Sequence, residues 1–322
     1  MRTRISILLL LAFLAVSCGT EKKPTPADLP SQKGPIHITG AFALYPMVKI
    51  WISEYQKIHP ETRFELTGIG SWQGLTAIKN GKTDLAMISS EIPKGIDTLL
   101  WIIPVARLGV VAVTGSKNPY LPMILGKGMK KDDLAATFSG EKVPCWGDLY
   151  GSRGKDRMIP YMRSDSSGAT DVLAHFLWLD PAQIKGKPCY GEPAMVDAIR
   201  KDPLGIGYLN FIYAIDPLKG TFADGITVIP IDFDLNGKID SREKIFFEES
   251  DLQRAMWLGK FPCSLVRNLY LVTNGKPATK EVVDFLAWVV NDGQQFVAKE
   301  GYIELHTSEI QYLVHALQYM KN

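Results

Sequence analysis

The chain has 322 residues, 46% of them hydrophobic and 22% charged, enough for two domains of about 130–150 residues with substantial cores. Its 36 basic and 34 acidic residues leave a net charge of only +2, and no Lys/Arg run carries interleaved aromatics, which excludes a nucleic-acid-binding surface. The five histidines are scattered at no metal or triad spacing, and no Cys-x-x-Cys occurs, which argues against zinc.

Met1-Arg2-Thr3-Arg4 is a basic start, and Ile5 to Phe13 is an apolar run too short to span a bilayer. Leu14-Ala15-Val16-Ser17-Cys18 then places a cysteine after small residues. The segment resembles a bacterial lipoprotein signal peptide covering residues 1–18, with Cys18 as the lipidated N-terminus. Residues 19–34 are polar and Pro-rich, a flexible tether that packs no core. Lipid anchoring would hold the protein on the periplasmic or cell-surface side of a bacterial membrane without a spanning helix. Beyond Cys18, the odd count of Cys145, Cys189 and Cys263 allows at most one disulfide and fits three separate thiols.

The body of the chain repeats one rhythm. Ile36 to Thr39 reads as a buried strand, followed by Gly40-Ala41-Phe42-Ala43-Leu44-Tyr45-Pro46 and a helix with Met47, Ile50, Trp51 and Tyr55 at helical spacing. Arg63 to Thr67 alternates as a second strand into Gly68-Ile69-Gly70-Ser71, and a helix follows over Leu75 to Asn80. Asp84 to Ile88 is a third strand, leading to Ser89-Ser90-Glu91. Strand, small-polar loop and helix in that order imply an open parallel sheet with ligands collecting at the carboxyl ends of its strands.

Leu108 to Thr114 is a continuous apolar run fit for a buried strand, expected to carry the chain into a second lobe. Met158 to Met162 then leads into Arg163-Ser164-Asp165-Ser166-Ser167-Gly168-Ala169-Thr170, and an apolar-periodic helix leaves that loop toward Trp178. Such a helix start presents free backbone N–H groups to an anion, with hydroxyls and the forked Arg163 beside them; the plainer function of Ser and Asp here is capping. A helix over Pro193 to Lys201, a strand over Gly205 to Asn210, an apolar run over Ile226 to Ile231 and a strand over Leu265 to Thr273 follow. Two helices, Lys280 to Lys299 and Ser308 to Met320, close the chain.

Taken together, the first loop, Gly68-Ile69-Gly70-Ser71, and Arg163-x-Asp165-x-Ser167-Gly168 resemble the phosphate-binding proteins of high-affinity phosphate ABC transporters. Thr137-Phe138-Ser139-Gly140 with Trp146-Gly147-Asp148, and Gly205-Ile206-Gly207-Tyr208, agree with that pattern. The resemblance implies an α/β, two-lobed type II periplasmic-binding-protein fold, each lobe a mainly parallel sheet flanked by helices, with a ligand cleft between lobes. Residues 35–114 plus 226–322 would form lobe I and residues 115–225 lobe II. It implies a non-enzymatic, monomeric receptor that hands inorganic phosphate to an ABC permease of the inner membrane. The implied ligand contacts are Leu44, Tyr45, Ser71, Ser90, Glu91, Arg163, Ser167, Gly168, Ala169 and Thr170. Leu44 departs from the family's Thr and lacks its hydroxyl. Ser90, with Glu91 beside it, falls where the family has the aspartate that accepts the phosphate proton, so a different oxyanion is an alternative ligand.

Asp232-x-Asp234-x-Asn236-Gly237-Lys238-Ile239-Asp240-x-x-Glu243 matches the twelve-residue calcium loop, with side-chain oxygens at positions 1, 3, 5, 9 and 12, Gly at 6, and the Lys238 carbonyl at 7. A strand rather than a helix precedes it, so bound Ca2+ would act as a structural clip; the competing reading is an Asn-Gly surface turn. This keeps open a calcium-stabilised sensor or adhesion lipoprotein. A serine hydrolase built on Ser71 or Ser167 is disfavoured, because neither loop reads Gly-x-Ser-x-Gly and no His/Asp partners can be assigned.

Overall fold

The computed structural model describes residues 29–92, 95, 99–165 and 167–321. The signal segment, Cys18 and most of the tether therefore lie outside the described residues, as does Ser166. Strand β1 (Ile36–Gly40) leads into helix α1 (Tyr45–Ile58), which buries Met47, Val48, Trp51 and Tyr55 as one stripe. Strand β2 (Phe64–Gly68) leads into α2 (Ser71–Lys79), and β3 (Leu85–Ile88) is buried on both faces. These three strands pair in parallel in the order β2-β1-β3. The rhythm expected from sequence is present.

The next strand exceeds the sequence expectation. β4 runs over Leu100–Gly115, sixteen residues, where only Leu108 to Thr114 reads as strand. Pro104 masks the first half, because proline removes a ladder donor and argues against a central strand. The chain accommodates it at an irregularity: Leu269 faces Ala106 while the next residue, Tyr270, faces Pro104, leaving Val105 unopposed as a bulge.

Helices α3 (Leu121–Lys127), α4 (Lys131–Ser139) and α5 (Trp146–Tyr150) follow, then strand β5 (Ile159–Arg163), helix α6 (Gly168–Leu177), strand β6 (Lys187–Cys189), helix α7 (Gly191–Lys201) and strand β7 (Gly205–Asn210). The short β8 (Ile215–Asp216) and β9 (Thr221–Phe222) pair with each other, and β10 (Ile226–Val228) joins the far end of β4. Helix α8 (Glu249–Trp257), strand β11 (Val266–Asn274), α9 (Lys280–Val290) and α10 (Thr307–Lys321) complete the chain. Among the described residues no helix is long and apolar enough to cross a membrane.

The nine-stranded sheet has the order β2-β1-β3-β11-β4-β7-β5-β6, with β10 also on β4. β5 is parallel to β6 and to β7, whereas β11 and β4 run antiparallel to their neighbours. The result is a mixed sheet, parallel at both ends and antiparallel in the middle. β4 pairs with β11 over its first ten residues and with β7 over Val110 to Thr114, so one long strand links the two ends.

Two further departures have local causes. The helix expected to run to Lys299 stops at Val290, and the chain continues as short 3-10 turns. The break brings the Gly293 carbonyl to 2.8 Å from Nε1 of buried Trp51, satisfying an indole that would otherwise lack an acceptor. At the other end, the tether is docked before residue 34: the Gln32 amide donates to Glu281 at 2.7 Å and Ser31 Oγ to the same carboxylate at 2.5 Å, in the first turn of α9. Among the described residues Cys145, Cys189 and Cys263 are all unpaired.

Candidate functional site

Two strand-loop-helix junctions, β2–α2 and β5–α6, converge on the end of β3. Ser71, at the start of α2, accepts the Ser89 amide through Oγ at 3.0 Å, and the two hydroxyls lie 3.1 Å apart. Across from them, Gly168 opens α6 so close to the end of β3 that a Cβ there would lie 2.0 Å from the Ser89 carbonyl oxygen. Only glycine permits that approach. Ser89 is therefore the residue that joins the second and third loops.

From Ser89 a chain of buried polar groups leads across the sheet. Arg267 on β11 donates Nε to the Ser89 carbonyl at 2.6 Å and Nη2 to Asn210 Oδ1 at 2.5 Å. Asn210 in turn donates Nδ2 to Glu192 Oε1. The same Glu192 oxygen accepts Nη1 of Arg163 at 2.5 Å, while Arg163 forks onto Asp165 through Nε and Nη2 at 2.7 and 2.5 Å. Burial pushes the Glu192 carboxyl upward against the pull of both guanidiniums. Arg163 lies 5.6 Å from the Phe42 ring centroid, and the Phe42 carbonyl accepts the Tyr213 hydroxyl at 2.9 Å. The first loop is thereby tied to residues from the other end of the sheet.

Several predicted contacts have internal partners. Ser167 Oγ caps its own helix by accepting the Ala169 amide at 3.2 Å, and Thr170 Oγ1 pairs with the Tyr208 hydroxyl at 2.7 Å. The amides of Leu44 and Tyr45 turn back onto Ala41 and Phe42 at 3.2 and 3.3 Å. Leu44 and Ala169 are fully buried, and Glu91 is exposed.

A domain model described as the PBP superfamily matches residues 25–292, most of the sequence. The chain belongs to the PBP superfamily. It is 25% identical to the phosphate-binding protein PstS of Methanocaldococcus jannaschii over 316 residues, covering 81% of this chain and 79% of that protein. It is 24% identical to PstS of Pseudomonas aeruginosa, covering 92% and 93%. A crystal structure of an ABC-type phosphate transport receptor from Vibrio cholerae superposes with a TM-score of 0.61 at 16% identity, covering 84% of this chain and all of that one, a likeness of fold. As a PBP-superfamily member the chain is a binding protein and not an enzyme.

Beside the convergence point this PBP-superfamily fold has a half-open cavity of about 940 Å³. Ser89, Ser90, Glu91 and Gly168 line it, together with Asp171 and His175 from one face of α6 and Arg267 from β11. Asp171, Glu192 and Arg267 were not singled out from sequence. Arg267 carries a signal nonetheless: it is the one charged residue in an otherwise apolar strand pattern. Glu192, in Gly191-Glu192-Pro193, carries none.

The acidic loop brings together three of its four expected carboxylate ligands, and Asp240 is not among them. Asp232, Asp234 and Glu243 bring carboxylate oxygens within 4.8 Å of one another, a group able to hold a metal ion. Asp232 accepts the amides of Asn236 and Gly237, and Glu243 accepts those of Phe233 and Asp240, so the loop wraps its own carboxylates. The Ile239 amide donates to the Gly126 carbonyl at 2.8 Å and pins the loop to α3. Asp232 and Glu243 are each 1% exposed, and among the described residues no Lys or Arg pairs with either. Buried carboxylates without a counter-cation fit a cation site.

Proposed function

We propose that this chain is the receptor of an ABC-type uptake system and captures inorganic phosphate where the loops before α2 and α6 meet the end of β3. The observation that carries this is the Ser71–Ser89 hydroxyl pair facing the α6 start across a contact only Gly168 permits. Two helix N-termini, two hydroxyls and a buried arginine network are the donors a dehydrated oxyanion needs. The named relatives point the same way. On this reading residues 35–114 plus 226–322 and residues 115–225 are two lobes around the cleft, the receptor is monomeric, and a permease takes the ligand from it. Cys18 carries the acyl anchor on the outer face of a bacterial membrane, and the 232–243 loop holds Ca2+ through Asp232, Asp234, Asn236, the Lys238 carbonyl, Asp240 and Glu243.

A second ligand, another tetrahedral oxyanion, is favoured by two observations. Leu44 contributes no hydroxyl, and Arg163 is saturated by two carboxylates. Calorimetric titration of residues 19–322 with phosphate, sulfate and arsenate separates the readings. Tight phosphate binding with little for sulfate supports the phosphate receptor, whereas indifference among the three supports a general oxyanion site. No binding to folded protein overturns the receptor and favours a sensor or adhesion lipoprotein.

A further inference from the structure

The half-open cavity beside the convergence point is far larger than an inorganic oxyanion needs. Its volume of about 940 Å³ falls where drug-sized organic molecules are held, roughly 300–1,000 Å³. Ser89 and Gly168 give its lining a polar part, and Leu179, Met256, Trp257 and Phe261 an apolar one. A central atom and its oxygens would fill only the polar part.

The charged groups around this space are unequally committed. Arg107 places Nη2 on both Glu309 oxygens at 2.7 Å and Nη1 on the Glu304 carbonyl at 3.2 Å. Arg267 donates to the Ser89 carbonyl and to Asn210, and Asp180 caps its own turn by accepting the Ala182 amide. In contrast, the carboxylates of Asp171, Glu91 and Glu304 make no hydrogen bond or ion pair among the described residues. Asp171 is half-buried, and burial pushes its carboxyl upward; Arg267 opposes that shift and Glu91 adds to it. The cations of the cavity are thus occupied, whereas its carboxylates are idle and two of them repel each other.

An inorganic phosphate dianion at the Ser89–Gly168 contact would meet these carboxylates as like charges. Asp171 follows Gly168 by three residues in α6, so its backbone lies only about 4.5 Å farther along the helix axis. A cation joined to the phosphoryl head by a short alkyl linker spans that distance and turns the repulsion into a charge-assisted hydrogen bond. We infer that the cavity selects a short organic phosphate bearing an ammonium group, with its phosphoryl head at the Ser89–Gly168 contact and its ammonium on Asp171, beside Glu91. Any further apolar part of the ligand lies against Trp257 and Phe261. The inference rests on the receptor reading above and narrows its ligand class.

The test is calorimetry of residues 19–322 at neutral pH with phosphoethanolamine, with ethyl phosphate, which has the same head but no amine, and with inorganic phosphate. Phosphoethanolamine should bind at least about tenfold tighter than ethyl phosphate, the worth of one charge-assisted hydrogen bond. Asp171→Asn should bring that ratio to within about twofold of unity. Equal wild-type affinities for phosphoethanolamine and ethyl phosphate, or an unchanged ratio in folded Asp171→Asn, overturn the inference; inorganic phosphate binding in the same protein then leaves the receptor reading standing. The wild-type comparison uses no variant, so it decides should Asp171→Asn fail to fold. Wild-type protein that binds none of the three overturns both.

Discussion

Nη1 of Arg163 lies 2.5 Å from Oε1 of Glu192, and neither side chain exposes more than 2% of its surface. The pair joins the end of β5 to the first turn of α7, and through Asn210 and Arg267 it reaches the end of β3. Without Glu192, Arg163 keeps only Asp165 as counter-charge, and two buried donors, Nη1 of Arg163 and Nδ2 of Asn210, lose their acceptor. Glu192→Ala is therefore expected to cost about 3–5 kcal/mol, read as a lower urea midpoint with an unchanged slope. Glu192→Gln keeps an acceptor oxygen and should cost less. A midpoint for the alanine variant equal to wild type would show that water or a neighbour replaces the carboxylate.

Gly168 supplies a prediction of steric origin. Its added Cβ would meet backbone, the Ser89 carbonyl at 2.0 Å, so no rotamer change relieves the clash. Gly168→Ala should force α6 and the end of β3 apart, weakening oxyanion binding more than tenfold and costing about 1–3 kcal/mol of stability. Gly126 in α3 is the control, since a Cβ there meets nothing within 4 Å and its φ is not positive. Gly126→Ala should be neutral or stabilising by about 0.5–1 kcal/mol. Comparable losses in both variants would remove the steric argument.

Much of this architecture is legible in the residue order, because alternating strands and small-polar loops leave strong local signals. β1, β2, β3 and β7 fall within a residue or two of their expected bounds. The first half of β4 is hidden because Pro104 forbids a regular ladder and only the partner strand, through its bulge, makes room. The end of α9 is set by a distant acceptor requirement at Trp51. The site divides the same way. Gly168 and Ser71 are visible from the loop pattern, whereas Glu192 and Arg267 acquire their roles only when β7, α7 and β11 are brought together. Local patterns carry no record of such partners.

Arg107 and Glu309 offer a pH-dependent readout. Nη2 of Arg107 lies 2.7 Å from both Glu309 oxygens, and the His306 amide donates to the same carboxylate at 2.8 Å. Partial burial works to raise the Glu309 carboxyl, but these donors outweigh it and hold the group below its ordinary value. A depressed acid contributes stability above its unfolded value and loses it as pH falls through the folded one. Glu309→Gln should thus lower stability at pH 7 by up to about 1 kcal/mol, modest because the carboxylate is 35% exposed. The gap to wild type should close as pH falls below the ordinary glutamate range. A gap that persists there would mean that packing, not charge, is lost.

The acidic loop yields the clearest stability experiment. Among the described residues no Lys or Arg pairs with Asp232 or Glu243, and Leu235 within the loop sits at φ +60°, in the left-handed region that disfavours a branched side chain. Both features are unfavourable unless something else holds the loop closed. A bound divalent cation would neutralise Asp232, Asp234 and Glu243 and bind only the folded state. Calcium at about a hundred times its dissociation constant then adds about 2.7 kcal/mol. That corresponds to roughly 4 °C in thermal midpoint for a chain of this length. Melting in EDTA should accordingly be lower than in calcium, and Asp232→Asn should melt alike in both. Magnesium should restore less, because the loop offers many flexible oxygen ligands rather than a tight octahedron. Identical midpoints in EDTA and calcium would mean that the loop closes on its own backbone amides, and the Asn236-Gly237 turn would then be its sole organising element.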